Sequence, residues 1–128
     1  MRYLAIAACV LLPGIGAAAA APQPPISPAQ ARGHEGECFS VEGQAEIHAD
    51  PLRPGIDIEL ANGANHFIGS IPVEDEAQFP ALRRYQGRLV DVTGVIQVYL
   101  GEPEIKMMNA HQLLTAADFH NRETLLGC

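Results

Sequence analysis

The sequence predicts an all-β fold with a minor helical part, in which five strands curl into a small closed barrel. Three observations carry that expectation. Residues 87–105, GRLVDVTGVIQVYLGEPEI, read as a long curved strand, a tight glycine loop and the start of a return strand. Within them Val90, Val92, Ile96 and Val98 alternate with Asp91, Thr93, Gln97 and Tyr99, the period of a half-buried strand. Gly94 interrupts the apolar face, as a glycine does where one strand bends to serve two parts of a closing sheet. Finally, Val41-Glu42-Gly43 and Val92-Thr93-Gly94 repeat one V-x-G device in the first and fourth strands, as paired barrel bends would.

In chain order, Arg2, the apolar run from Tyr3 to Ile15 and the small-residue tract Ala17 to Ala21 follow the charged, hydrophobic, small-residue sequence of a secretory leader. Ala18 and Ala20 supply an A-x-A site, so residues 1–20 are expected to be removed. Pro13, Gly14 and Gly16 break the run, and no stable membrane insertion is expected after processing. A periplasmic or secreted location follows. Residues 21–37, rich in Pro and small polar residues without a hydrophobic period, read as an extended linker to a domain at 38–128.

The first strand is CFSVEGQAEIH, with Phe39, Val41, Gly43, Ala45 and Ile47 on one face. Asp50-Pro51 and Pro54-Gly55 bound the loop after it. Ile56, Ile58 and Leu60 make a second strand ending at Asn62-Gly63, and about His66 to Val73 a third. Val73 to Tyr85 fits a short helix, with Asp75 as N-cap and Phe79 and Leu82 facing the core. The long fourth strand and a partner at about Glu104 to Met108 come next, with Gln112 to Leu114 continuing that partner after a kink. Thr115 and Asp118 make a T-x-x-D cap for a last helix carrying Phe119, Leu125 and Leu126 and stopped by Gly127.

The residues C-F-S-V-E-G at 38–43, Y-Q-G-R-L-V-D-V-T-G-V-I at 85–96 and Y-L-G-E-P-E-I at 99–105 resemble the OB-fold, a five-stranded Greek-key barrel with a helix between strands three and four. More narrowly, the chain resembles the small OB-type nucleic-acid-binding domains of exported bacterial proteins. His111-Gln112-Leu113 stands where such domains have a Pro-Ser-Gln-Ile-like ending, and the likeness covers about residues 38–114. It implies a ligand across strands two and three, between the loops joining strands one to two and four to five. That surface draws on His48, Arg53, Asp57, Glu59, His66, Tyr99, Glu102 and Lys106, of which His48, Arg53, His66, Tyr99, Glu102 and Lys106 are the candidate ligand-binding residues.

Charge argues about the ligand independently. Eight Lys and Arg against fifteen Asp and Glu give a net charge of −7, and loss of Arg2 with the leader makes the domain more acidic. Phosphate neutralisation dominates nucleic-acid binding, so an acidic domain must gather its few cations on one face. Single-stranded nucleic acid, the partner the resemblance implies, therefore competes with a second expectation: a protein-interaction or envelope-stress module binding a peptide, protein or small envelope ligand. Arg83, Arg84 and Arg88 form the one basic cluster and also suit a helix C-terminus.

Catalysis is not expected. A secreted thermonuclease family is built on an OB-type barrel, but its Asp-Gly-Asp-Thr-like metal loop is not in this sequence, nor is a Gly-x-Ser-x-Gly elbow or a phosphate-binding glycine loop. The five histidines are scattered without ligand spacing, so neither a metal nor a cofactor is expected. Export also removes Cys9, leaving Cys38 and Cys128; paired, they would tie the first strand to residue 128, and unpaired they would be two free thiols.

Overall fold

The computed structural model describes residues 23–121 and 128. Its strands are β1 (Cys38–His48), β2 (Ile56–Asn62), β3 (Asn65–Ile71), β4 (Leu89–Tyr99), β5 (Glu102–Lys106) and β6 (Leu113–Thr115). They pair in the order β1-β2-β3-β5-β4, and β4 returns to β1, which closes the OB-type barrel. The β3–β5 pairing is parallel and the others antiparallel. β6 adds to β4 outside this circuit, pairing Asp91 with Leu114. It does not prolong β5 as the sequence suggested, because the turn at Ala110–Gln112 redirects the chain.

The two corners fall where the V-x-G repeats stand. β1 pairs with β4 as far as Gln44 and with β2 from Gln44 onward, directly after Gly43. β4 pairs with β1 up to Val95 and with β5 from Ile96, directly after Gly94. At both glycines the reason is close approach. A Cβ on Gly43 would lie 2.9 Å from Leu60 Cβ, and one on Gly94 would lie 2.5 Å from Ile105 Cγ2. The barrel interior is filled by the inward rows of all five strands, with Val41, Ile58, Leu60, Phe67, Val92 and Ile105 at most 1% exposed. Fully burying one such side chain contributes roughly 1.5–3 kcal/mol.

The expected helix between β3 and β4 is two 3-10 turns, Val73–Gln78 and Leu82–Tyr85. Proline explains the break: Pro80 has no N–H to donate and disfavours helical backbone at Phe79, whose φ and ψ are −124° and 65°. Pro72, not Asp75, occupies the cap position. Phe79 is buried as expected, and Leu82 packs against the core.

The linker expectation for 21–37 needs correction from residue 26 on. Ile26 donates its N–H to Ser40 O at 2.8 Å and accepts from Glu42 N at 2.9 Å, covering the stretch of β1 that β2 does not reach. α1 (Pro28–Ala31) follows, with Ala31 fully buried against β1, β2 and β3. Its start is written in S-P-A-Q: Pro28 is the first helical residue, and Gln30 Oε1 accepts from Ser27 N at 2.9 Å. Four helical residues are too few to show a period.

The C-terminal segment behaves as the T-x-x-D signature requires. Thr115 Oγ1 accepts from Asp118 N at 3.2 Å and starts α2 (Ala116–His120). The expected helical positions Leu125, Leu126 and the stop at Gly127 lie outside the described residues, as does the expected leader. Cys128 is bonded to Cys38, so residue 128 returns to the first strand.

Candidate functional site

The outward rows of β1, β2, β3 and β5 form one continuous surface. Register fixes its composition: His48 lies opposite Asp57, Asp57 opposite Ser70 and Ser70 opposite Lys106. The next row runs Glu46, Glu59, Ile68, Glu104 and Gln97. Glu102 faces Tyr99 at the end of β5. Five carboxylates, from Glu46, Asp57, Glu59, Glu102 and Glu104, thus share a surface on which Lys106 is the single Lys or Arg contributed by those four strands.

Like charges directly opposite repel, and the imidazoles offset part of this. His48 Nε2 lies 3.3 Å from Glu59 Oε2 and 3.8 Å from Glu46 Oε1, and His66 Nδ1 contacts Glu59 Oε1. Arg32, just after α1, reaches Glu102 at 3.3 Å. Glu104 registers the crowding most clearly. Partial burial and the neighbouring Asp57 push its carboxyl above the ordinary range, and Lys106 only partly opposes them.

The flanking loops carry exposed apolar side chains. Leu52, between β1 and β2, is 90% exposed, and Leu100, between β4 and β5, is 87% exposed. Leu100 and Gly101 form the two-residue turn of that hairpin, both with positive φ, at 49° and 80°. A non-glycine residue with φ near +50° is uncommon and favours Asn, so a leucine here is held at an energetic cost. Tyr99, beside it, is also exposed.

The expected ligand residues are therefore brought together only in part. His48 and His66 meet through Glu59, and Glu102 and Lys106 lie on the same surface. Tyr99 stands at its edge, and Arg53 sits in the exposed β1–β2 loop, where it lines a shallow pocket with Asp50, Pro51, Val73 and Glu76. An adjoining groove of about 440 Å³ lies between β4 and the segment after β5, lined by Gly94, Gln97, Lys106, Met108, His111 and Gln112 among others. Gln112 builds its wall: its side-chain amide donates to Thr93 O and Lys106 O and accepts from Met108 N and Asn109 N.

One cluster was not expected from the sequence. Register sets Glu42 on β1 directly opposite Asp91 on β4, on the outer side of the barrel, where β6 flanks Asp91 in the sheet and α2 packs against the pair. Asp91 is 1% exposed and neither carboxylate oxygen has a hydrogen-bond partner. Burial, reinforced by the facing Glu42 carboxylate, with which only the protonated acid can share a hydrogen bond, pushes its carboxyl up to about 8. His120, on α2, places Nε2 3.2 Å from Glu42 Oε1. Nearby, Ser40 and Thr93 satisfy each other with a 2.6 Å hydroxyl contact. Among the described residues, Glu42, Asp91 and His120 are the one trio of potential metal ligands whose ligand atoms all lie within 4.8 Å of one another.

No family model matches the sequence, and no curated protein matches it. Among solved structures, the barrel is similar to part of a chain assigned as an aspartyl-tRNA synthetase from Leishmania major Friedlin, with a TM-score of 0.55 at 10% identity. The match spans 81% of this chain and 23% of that one, and at such identity the likeness is one of fold. Among the described residues, no helix is long and apolar enough to cross a membrane.

Proposed function

We propose that this chain is an exported, non-catalytic binding module whose β1-β2-β3-β5 face receives a cationic peptide or protein segment. One observation carries the reading: five carboxylates and a single Lys share the surface that OB-type barrels commonly use for ligands. Such a face attracts Lys- and Arg-bearing partners and repels phosphate. Leu52 and Leu100 at its two ends suit apolar side chains flanking the basic ones. The Cys38–Cys128 bridge supports an oxidising compartment, in keeping with the leader pattern at residues 1–20.

Single-stranded nucleic acid is the second reading, favoured by the fold and by exposed Tyr99 on the strand beside the one that carries Lys106. Titration with a Lys/Arg-rich peptide containing leucines, alongside an oligothymidylate, separates the two. The expected result is peptide binding that weakens with salt and on Glu59→Gln with Glu104→Gln, and no oligonucleotide binding at low salt. Oligonucleotide binding whose salt slope falls on replacing Arg53 and Lys106 would transfer the assignment to nucleic acid.

A further inference from the structure

We infer that Glu42, Asp91 and His120 form a divalent transition-metal site, suited to Zn²⁺, that clips the C-terminal helix onto the barrel. The site lies away from the carboxylate-lined ligand face and does not depend on what that face binds. Three elements converge on it: β1 supplies Glu42, β4 supplies Asp91 from the directly opposite register position, and α2 supplies His120. Phe119, 5% exposed, anchors α2 against the barrel and sets the position of the adjacent His120.

The strongest indication is Asp91. Kept ionised, a carboxylate with 1% exposure and no hydrogen-bond donor at either oxygen is costly, and its side chain is directed at Glu42 and His120. Two carboxylates placed opposite one another on paired strands aggravate that cost. A dication removes both penalties, because two carboxylates and a neutral imidazole carry the two negative charges that it neutralises.

Geometry fits as well. Ligand atoms at about 2.0–2.2 Å from a tetrahedral dication lie roughly 3.3–3.6 Å apart. His120 Nε2 and Glu42 Oε1 are 3.2 Å apart, and every pairwise separation in the trio is within 4.8 Å, so small side-chain rotations complete the set. The His120 side chain is 57% exposed and that of Glu42 25%, leaving a solvent-facing side for a fourth ligand. One imidazole with two carboxylates suits Zn²⁺ or Co²⁺ better than Mg²⁺ or Ca²⁺, which need about six oxygens.

The test uses the purified protein with its disulfide intact, stripped with a chelator and then titrated with Co²⁺ or Zn²⁺ alone. Co²⁺ is expected to develop the visible absorption of a low-coordinate N/O site at one equivalent. Zn²⁺ at about 100 times its Kd should raise the melting temperature by roughly 10 °C or more, while Mg²⁺ does not. His120→Ala, on the exposed surface, and the near-isosteric Asp91→Asn should each weaken binding by at least about 100-fold. His48→Ala with His66→Ala, which removes the other histidine–carboxylate cluster, should leave it unchanged. The inference is overturned if Zn²⁺ gives no shift at millimolar concentration, if the shift survives in His120→Ala, or if it disappears in the His48/His66 variant.

Discussion

Two outer surfaces of this barrel start from the same sequence pattern and end in opposite physical states. On β2, β3 and β5 the outward positions of alternating strands carry Asp57, Glu59, Glu102 and Glu104, and these meet solvent, histidines or Arg32. On the facing halves of β1 and β4 the outward positions carry Ser40, Glu42, Asp91 and Thr93, and there β6 extends the sheet beside Asp91 while α2 packs against Glu42. Period-2 alternation says which side of a strand a residue occupies. Whether that side is wet depends on what the rest of the chain lays on top, and here the cover turns a routine surface aspartate into a buried, unpartnered one.

The largest expected effect comes from releasing the cover. Cys38 and Cys128 are separated by 90 residues, and closing a loop of that size contributes on the order of 4 kcal/mol in the chain-entropy model. Reduction should lower stability in urea by about that amount. It should also admit water to Asp91 and return its carboxyl toward the ordinary range, which carboxyl-carbon NMR across a pH series measures. A reduced protein in which Asp91 still titrates near pH 8 would mean that α2 stays in place without the bridge.

Gly94→Ala attacks the frame that both surfaces share. The new Cβ would stand 2.5 Å from Ile105 Cγ2 and 3.2 Å from Gln112 Nε2, so β5 or the Gln112 clamp must move. A loss of roughly 1–3 kcal/mol is expected, read from the urea midpoint at unchanged m. Gly63→Ala, where nothing lies within 4 Å of the new Cβ but φ is +63°, should cost less, about 1 kcal/mol.

How far the sequence carried these surfaces follows from the same contrast. The first strand was legible to the residue, Cys38 to His48, because its alternation is unbroken, and both corners were legible because glycine on an apolar face has few other uses. The helix after β3 was misread because a good cap and spaced apolar residues concealed what Pro80 does to the turn before it. The linker was misread because composition masked a four-residue helix whose one fully buried side chain is Ala31. On the ligand face, the sequence located the strands but not their pairing across β3 and β5, and the carboxylate rows emerge only from that register. The Glu42–Asp91–His120 cluster joins residues 29 to 78 positions apart, and no spacing rule reaches that far; the one available signal was that antiparallel pairing of the two V-x-G strands sets Glu42 against Asp91.

Asp91→Asn sharpens the comparison on the covered side, measured with chelator present so that no metal contributes. The folded carboxyl titrates at about 8 and the unfolded one near 3.8. Between those values the folded state keeps a proton that the unfolded state has released, so the Asp91 contribution is fully present below about pH 4 and is lost as pH rises through about 8. Wild-type stability should fall relative to Asp91→Asn over that window, and at pH 8 the variant should be the more stable by at least about 1 kcal/mol. Glu42 and His120, which face Asp91, are unchanged in the variant, so the difference curve reports residue 91 together with its interaction with them. A flat difference curve would mean that the carboxyl is hydrated after all.

The matching change on the open side, Glu59→Gln, should do almost nothing to stability. Its carboxylate sits between His48 and His66, both about half exposed, and solvent and salt screen pairs of this kind. A change within about 0.5 kcal/mol is expected at any pH between 5 and 8. Its effect should appear instead in recognition, as a slower association with a cationic peptide and a shallower dependence on ionic strength, because removing one of the five carboxylates on the face weakens the field that steers the partner. A stability loss as large as that of Gly94→Ala would place Glu59 in the frame of the barrel and take away the face on which the binding proposal rests.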